Sequence, residues 1–403
     1  LSQEPKLFPP TVAGVIEALE LSFGKQLYAD KVVDKLLRQN KKWGSRDRAF
    51  VAEHTYEMVR HWRKLWALYG KEPQLKRKDL EKLFGIYWLT RGFTLPDWPK
   101  FDEVRNIDIT ARLAELPQDI GVLESFPEWF NERAATELRD KWPAIARALN
   151  APANVVLRVN TLKISKVELL QTLAEEGIEV EEMVDFTNAM RLAGRPKLTN
   201  LESFKAGLYE VHDAGSQTIA PFLQAQPGDF VVDACAGAGG KALHLAAEMQ
   251  NEGIIIAMDV EPYKLGELDK RADRNGATCI TTSLIKGNAS IKTYQEKADR
   301  LLLDVPCCGS GVIRRDVDTK WKLQPEHLER NIGIQRDILQ RYSQMLKPGG
   351  TLVYATCSIF RSENEDQVAW FLANNPEFKL EAEKRLNPSK DNDGFYMARM
   401  IKA

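Results

Sequence analysis

Between residues 230 and 401 short apolar runs alternate with stretches of helical period, and no other feature narrows the fold of this chain so far. Residues 230–233, 254–258, 280–285, 300–303, 351–356 and 395–401 read as strands, with helices following the first strand to about Gln250 and over roughly 325–346. Strands alternating with helices of this length predict an α/β fold built on a mostly parallel, doubly wound sheet. Such sheets bind ligands beyond the carboxyl ends of their strands. The chain concentrates its chemistry at those ends. The run Leu301-Leu302-Leu303 stops at Asp304 and turns through Val305-Pro306-Cys307-Cys308-Gly309-Ser310-Gly311, and the strand over 351–356 stops at Cys357-Ser358. Two strands each deliver a cysteine to one crevice.

After the first strand comes Ala234-Cys235-Ala236-Gly237-Ala238-Gly239-Gly240-Lys241, a glycine turn opening a helix. Glycines there let backbone approach a ligand and leave N–H groups free at the helix start. The spacing is neither the dinucleotide form GxGxxG nor the phosphate loop GxxxxGK[ST]. Asp259 ends the second strand, where a carboxylate accepts hydrogen bonds from both ribose hydroxyls. Nucleoside binding without a phosphate cradle points to S-adenosylmethionine rather than NAD.

Of the five cysteines, Cys279 reads as a small buried hydrophobe and Cys235 as part of the cofactor turn. Cys307 and Cys357 sit at strand ends on the crevice side. A thiol with a reference pKa of about 8.5 is strongly nucleophilic through its thiolate fraction. A pyrimidine C5 attacks a methyl group poorly until something adds to C6. A cysteine is the natural adduct-former, and Asp304 can hydrogen-bond the N3 edge to favour addition. Methyl transfer then leaves a proton on C5 whose removal expels the cysteine, a step open to a second thiol. By strand order alone Cys307, directly after Asp304, is the nearer nucleophile.

At 403 residues the chain exceeds one compact domain. The pattern divides it into an all-helical region over 1–127, a linker helix with a small α+β module over 128–212, and the α/β region over 213–403. In the first, Tyr56, Val59, Trp62, Trp66 and Tyr69 recur at helical spacing and read as core. Ser45 is expected to cap a helix there, with Asp47 favouring its amino end. The net charge of −1 hides an asymmetry: residues 31–100 carry 17 Lys/Arg against 8 Asp/Glu. This basic block, including Lys76, Arg77 and Lys78, suits a polyanion partner. No apolar run is long enough for a membrane helix, and the opening Leu1-Ser2-Gln3-Glu4-Pro5 has no signal-peptide pattern. The sparse cysteines, without CxxC or a Cys/His cluster, argue for a reducing cytoplasmic setting and no metal.

Asp233-Ala-Cys-Ala-Gly-Ala-Gly-Gly-Lys241, Asp304-Val-Pro-Cys307 and Tyr354-Ala-Thr-Cys357-Ser358, followed by Glu363-Asn364-Glu365, resemble the signatures of the Nop2/Sun family of RNA cytosine-5 methyltransferases. Arg158-Val159-Asn160-Thr161 and Asp213-Ala-Gly-Ser-Gln217 look like that family's upstream elements, so the likeness covers about 150–403. More loosely, residues 8–127, best at Ser45-Arg46-Asp47-Arg48-Ala49-Phe50, are similar to the NusB-like RNA-binding domain of its bacterial small-subunit rRNA branch.

The resemblance implies a Rossmann-like class I methyltransferase sheet, S-adenosylmethionine as cofactor, and 5-methylcytosine formed in RNA, 16S rRNA by that branch. It moves the attack on C6 to Cys357 and makes Cys307 the thiol of product release, with Asp304 at the cytosine N3. It implies a cofactor site of Ala234, Cys235, Ala236, Gly237, Gly239, Gly240, Lys241, Asp259, Asn288 and Asp304, and an RNA contact from Arg158, beside those that the basic run Lys76, Arg77 and Lys78 suggests by its charge. The chain departs from the family with Ala238 in place of Pro, Ala242 in place of Thr, and Asn288 where an acid is common. Cys308 is an additional thiol beside Cys307. A monomer is expected. Competing readings are a tRNA cytosine-5 methyltransferase and a non-catalytic RNA-binding ribosome-assembly factor.

Overall fold

The computed structural model describes residues 6–403, so Leu1–Pro5, read above for a signal pattern, lie outside it. The chain divides into two units. One comprises the chain up to Asn150 together with Ile313–Pro325, and the other comprises Ala151–Val312 and Glu326–Ala403. Among the described residues no helix is long and apolar enough to cross a membrane.

The first unit is helical, with its longer helices at Pro9–Leu19, Ala29–Gln39, Ser45–Arg60, Trp62–Tyr69, Arg77–Thr90, Glu128–Leu138 and Trp142–Asn150. The aromatic stripe is core as its period predicts: Val59, Trp62, Trp66 and Tyr69 are buried, and Tyr56 packs against the same cluster. The cap reading needs correction. Ser45 is already helical, Gly44 is the cap residue, and Asp47 accepts the Gly44 N–H, closing the turn from the third helical position. Arg48 has a structural task, donating to the carbonyls of Leu37 and Trp43 near the end of the preceding helix. The helices over 128–150 pack with this unit, which runs to Asn150.

The remote segment Ile313–Pro325 is tied into this helical core. Asp318 caps helix Ala29–Gln39 by accepting the Ala29 N–H at 2.7 Å, and Trp321 donates to Val59 O at 2.7 Å. Lys320, wholly buried, donates to Asn150 Oδ1 at 3.0 Å and lies over the Phe126 ring at 4.3 Å.

The second unit opens with a small antiparallel sheet of β1 (Val156–Val159), β2 (Val180–Glu182), β3 (Ala189–Leu192) and β4 (Tyr209–Val211), in the order β2-β3-β1-β4. Helix Lys166–Glu175, closed by a Ser165/Glu168 capping box, buries Leu169 and Leu173 against Leu157, Val159 and Met190. Beyond it lie β5 (Phe230–Asp233), β6 (Ile254–Asp259), β7 (Ile280–Leu284), β8 (Ala298–Asp304), β9 (Leu346–Thr356), β10 (Phe378–Leu386) and β11 (Phe395–Lys402). The order is β10-β11-β9-β8-β5-β6-β7; β5 to β9 run parallel, and β11 is antiparallel to both its neighbours. β5 pairs with β6 on one side and β8 on the other, so strand order reverses there and opens a crevice.

Candidate active site

The crevice collects the carboxyl ends of β5, β6, β8 and β9. At the end of β5 the chain turns through Gly237 and Gly239, with φ of 54° and 88°, before helix Gly240–Glu248. A side chain at Gly239 would meet Leu268 Cγ at 2.5 Å, whereas beside Gly237 there is open space. Asp259, at the end of β6, braces the turn: one carboxyl oxygen accepts the Gly237 N–H and the other the Glu261 N–H, each at 2.9 Å. Each oxygen keeps a lone pair for a ribose hydroxyl. The open glycine, the braced carboxylate and the free helix start fit S-adenosylmethionine. Ala234, Cys235, Ala236 and Gly240 line the same turn, and Asn288 stands exposed four residues beyond β7.

Lys241 donates to Asp304 Oδ2 at 2.5 Å, linking the helix after β5 to the end of β8. Burial alone would lower the Lys241 pKa, but the Asp304 carboxylate raises it overall. Lys241 therefore stays a cation, and Asp304 Oδ2 accepts its hydrogen bond. Asp233 lies beneath, fully buried. Burial first, and then the Asp304 charge, push its carboxyl up to about 7.

The two strand-end thiols meet. Cys307 Sγ and Cys357 Sγ are 3.4 Å apart, a hydrogen-bonding distance for sulfur. That hydrogen bond, with burial second, holds Cys307 well above the ordinary thiol range. Cys308 faces elsewhere, its sulfur 3.1 Å from Ser310 Oγ and 3.5 Å from Ser358 Oγ. Of the two adjacent thiols, Cys307 is the one that faces Cys357. Gly311 makes the approach of the two loops possible. Its N–H donates to Cys357 O at 2.8 Å, and a Cβ there would lie 2.4 Å from Gly394 O.

Two expectations for RNA contacts part ways. Lys76, Arg77 and Lys78 are exposed at the start of helix Arg77–Thr90. Arg158 is not available to RNA. It is 3% exposed and donates to Gly240 O at 2.6 Å, with His212 Nδ1 at 2.8 Å, so it pins β1 to the glycine turn. A buried guanidinium needs its donors satisfied internally, which turns it inward. Sequence reasoning missed Glu210, whose buried carboxylate takes Arg271, Arg274 and Asn275 from helix Pro262–Asn275. It also missed Gln335, which lies on an amphipathic helix without any motif around it.

A sheet of this order with a braced carboxylate and an open glycine turn at its switch point defines a class I, S-adenosylmethionine-dependent methyltransferase. The comparisons narrow the class. Residues 220–401 match the family model described as 16S rRNA methyltransferase RsmB/F, and residues 126–199 match the ferredoxin-like domain model of RsmF/B-type methyltransferases. The ribosomal RNA small subunit methyltransferase B of Vibrio vulnificus is 30% identical, over 89% of this chain and 92% of that protein. The probable enzyme of that name from Bacillus subtilis is 35% identical over 72% of this chain and 63% of its own length. A methyltransferase homologue from Pyrococcus horikoshii has the same fold with a TM-score of 0.63 and 28% identity, covering 72% of this chain and all of that one. The chain belongs to the RsmB/F family of 16S rRNA methyltransferases.

Proposed function

We propose that this protein forms 5-methylcytosine in 16S rRNA, with Cys357 as nucleophile, Cys307 as the thiol of product release and Asp304 as the partner of the cytosine N3 edge. The observation that carries the reading is the 3.4 Å approach of the two sulfurs beside the Lys241–Asp304 pair. S-adenosylmethionine, when bound against Asp259 and the glycine turn, supplies an electrophilic methyl group. The Cys357 thiol gives its proton to water as its sulfur bonds to C6. The C5–C6 electron pair is then available at C5, and N3 takes up a proton from water. Ion-paired Asp304 accepts the hydrogen bond from that N3–H, which spreads the charge developing on the ring. C5 bonds to the methyl carbon as the methyl–sulfur bond breaks. Loss of the C5 proton to a base re-forms C5=C6, the sulfur–C6 bond breaks back onto Cys357, and N3 returns its proton.

The Cys307 shift supports this order of roles. While Cys357 is free, the two thiols share a hydrogen bond, which together with burial keeps Cys307 protonated. Once the Cys357 sulfur is bonded to carbon that hydrogen bond is gone, and Cys307, the thiol that faces Cys357, is placed to act as the base. The relatives named as small-subunit rRNA methyltransferases support rRNA over tRNA. The paired thiols disfavour a purely RNA-binding assembly factor, which has no use for them.

The test uses unmodified 16S rRNA and tRNA transcripts with isotopically labelled S-adenosylmethionine. Wild type is expected to label C5 of cytosine in 16S rRNA only. Cys307→Ser should accumulate a covalent protein–RNA adduct resistant to denaturation. Cys357→Ser should form no adduct and no product, and Cys308→Ser should stay close to wild type. Methylation by the Cys357 variant would overturn the assignment.

A further inference from the structure

Each thiol sits on a loop whose flanking backbone is held by a side chain from one dipeptide, Glu363-Asn364. On the Cys307 side, Glu363 Oε1 accepts the Cys308 N–H at 2.9 Å. Gln335, on helix Pro325–Tyr342, donates to Pro306 O and to Glu363 Oε1, both at 3.0 Å. The residues before and after Cys307 are therefore fixed together. On the Cys357 side, the Asn364 amide accepts from Thr356 Oγ1 and donates to Ser358 O at 2.9 Å. Thr356 Oγ1 in turn accepts the Ser358 N–H at 3.1 Å. The residues before and after Cys357 are likewise fixed together. Glu363, Asn364 and Gln335 are all fully buried, and none of their hydrogen bonds reaches the sulfur of Cys307 or Cys357.

We infer that Glu363, with Gln335, and Asn364 are two positioning clamps, one per thiol, joined through a single peptide so that the sulfurs are held at reacting distance. The inference rests on the two-thiol reading above. The joint itself is anchored: Tyr354 of β9 donates its hydroxyl to Glu363 O at 2.6 Å. The next residue, Glu365, is ion-paired with Arg385 of β10, and Arg385 also donates to Ile359 O at 2.8 Å. Both loops are thereby referred to the sheet rather than to each other's flexibility. A displacement of about 1 Å between reacting groups costs up to ~100-fold in rate, so clamps of this kind carry kinetic weight without touching the reacting atoms.

Because each clamp serves one thiol, their loss should impair different steps. The full-length chain is assayed with an unmodified 16S rRNA transcript and labelled S-adenosylmethionine. Adduct formation, adduct decay and cofactor affinity are each measured, with Cys307→Ser and Cys357→Ser run in parallel. Asn364→Ala is expected to slow adduct formation by about 10- to 100-fold. Glu363→Ala is expected to form the adduct but release it about 10- to 100-fold more slowly, imitating Cys307→Ser. Gln335→Met, a volume-conserving change, should show the same release defect if Glu363→Ala does not fold. Glu363→Gln keeps the accepting oxygen and should restore release, with cofactor affinity unchanged throughout. Equal impairment of both steps by either clamp variant, or no rescue by Glu363→Gln, would overturn the clamps while leaving the thiols their roles. Absence of an adduct in Cys307→Ser itself would remove the two-thiol reading, and the clamps with it.

Discussion

Cys307 and Cys308 are chain neighbours with opposite surroundings, one facing Cys357 across 3.4 Å and the other turned to Ser310 and Ser358. A turn that reverses direction sends successive side chains to different sides, and only the fold says which side holds the partner. The positions of Asp304, Lys241 and Asp259 in the fold were legible because each stands at a strand end or helix start. Arg158 was misread because a cation in a surface-like motif is drawn to phosphate on paper, whereas here it satisfies a carbonyl in the interior. Asp233 gives a residue-scale prediction. Its carboxyl rises from 3.8 to about 7, so the folded state binds a proton that the unfolded chain releases. Stability from this group is present at low pH, falls as pH rises from about 4 towards 7, and is flat above. Asp233→Asn should remove about one proton's slope, ~1.4 kcal/mol per pH unit, from denaturant unfolding over that window. Identical slopes in the two proteins would contradict the buried, raised carboxyl.

At the scale of elements, the inner parallel strands β5, β6, β8 and β9 were readable because burial on both faces leaves nearly continuous apolar runs. β3 and β10 were not. β10, Phe378–Leu386, is an edge strand with mostly polar side chains, among them exposed Lys379, Glu381 and Glu383, and charge of that kind guards an edge while hiding its period. How the small sheet is fastened was also invisible, since Glu210 of β4 meets Arg271, Arg274 and Asn275 from a helix some sixty residues on. Burial would raise the Glu210 pKa, yet the two guanidiniums bring it below the ordinary value. Removing one partner of a buried ionic cluster leaves charges uncompensated. Glu210→Ala should therefore cost about 3 kcal/mol in urea unfolding, well above the median of a surface pair. A loss under about 1 kcal/mol would show the cluster to be solvent-screened.

At the scale of the molecule, the chain makes one helical unit from two separated pieces, since Ile313–Pro325 leaves the sheet region and completes the core around Val59, Asn150 and Ala29. The basic excess of residues 31–100 belongs to that unit, and with it comes a prediction on salt. RNA affinity should fall steeply with ionic strength, and replacing Lys76, Arg77 and Lys78 by Ala should lower the steepness of log K against log salt by about 2 to 3. An unchanged slope would assign the phosphate contacts to other cations. The sequence alone determined what depends on neighbours along the chain: apolar period, the glycine turn, the acids and thiols that end strands, and through them the sheet and its cofactor. Tertiary structure decided what depends on direction and on distant partners. It turned Cys307 rather than Cys308 towards Cys357, turned Arg158 inward, and recruited Ile313–Pro325 into the helical core. It also placed Glu363 and Asn364 behind the two thiols. The physical reason is that periodicity is a local property of the backbone, whereas the satisfaction of a buried donor or acceptor is decided by whichever remote group the fold brings to it.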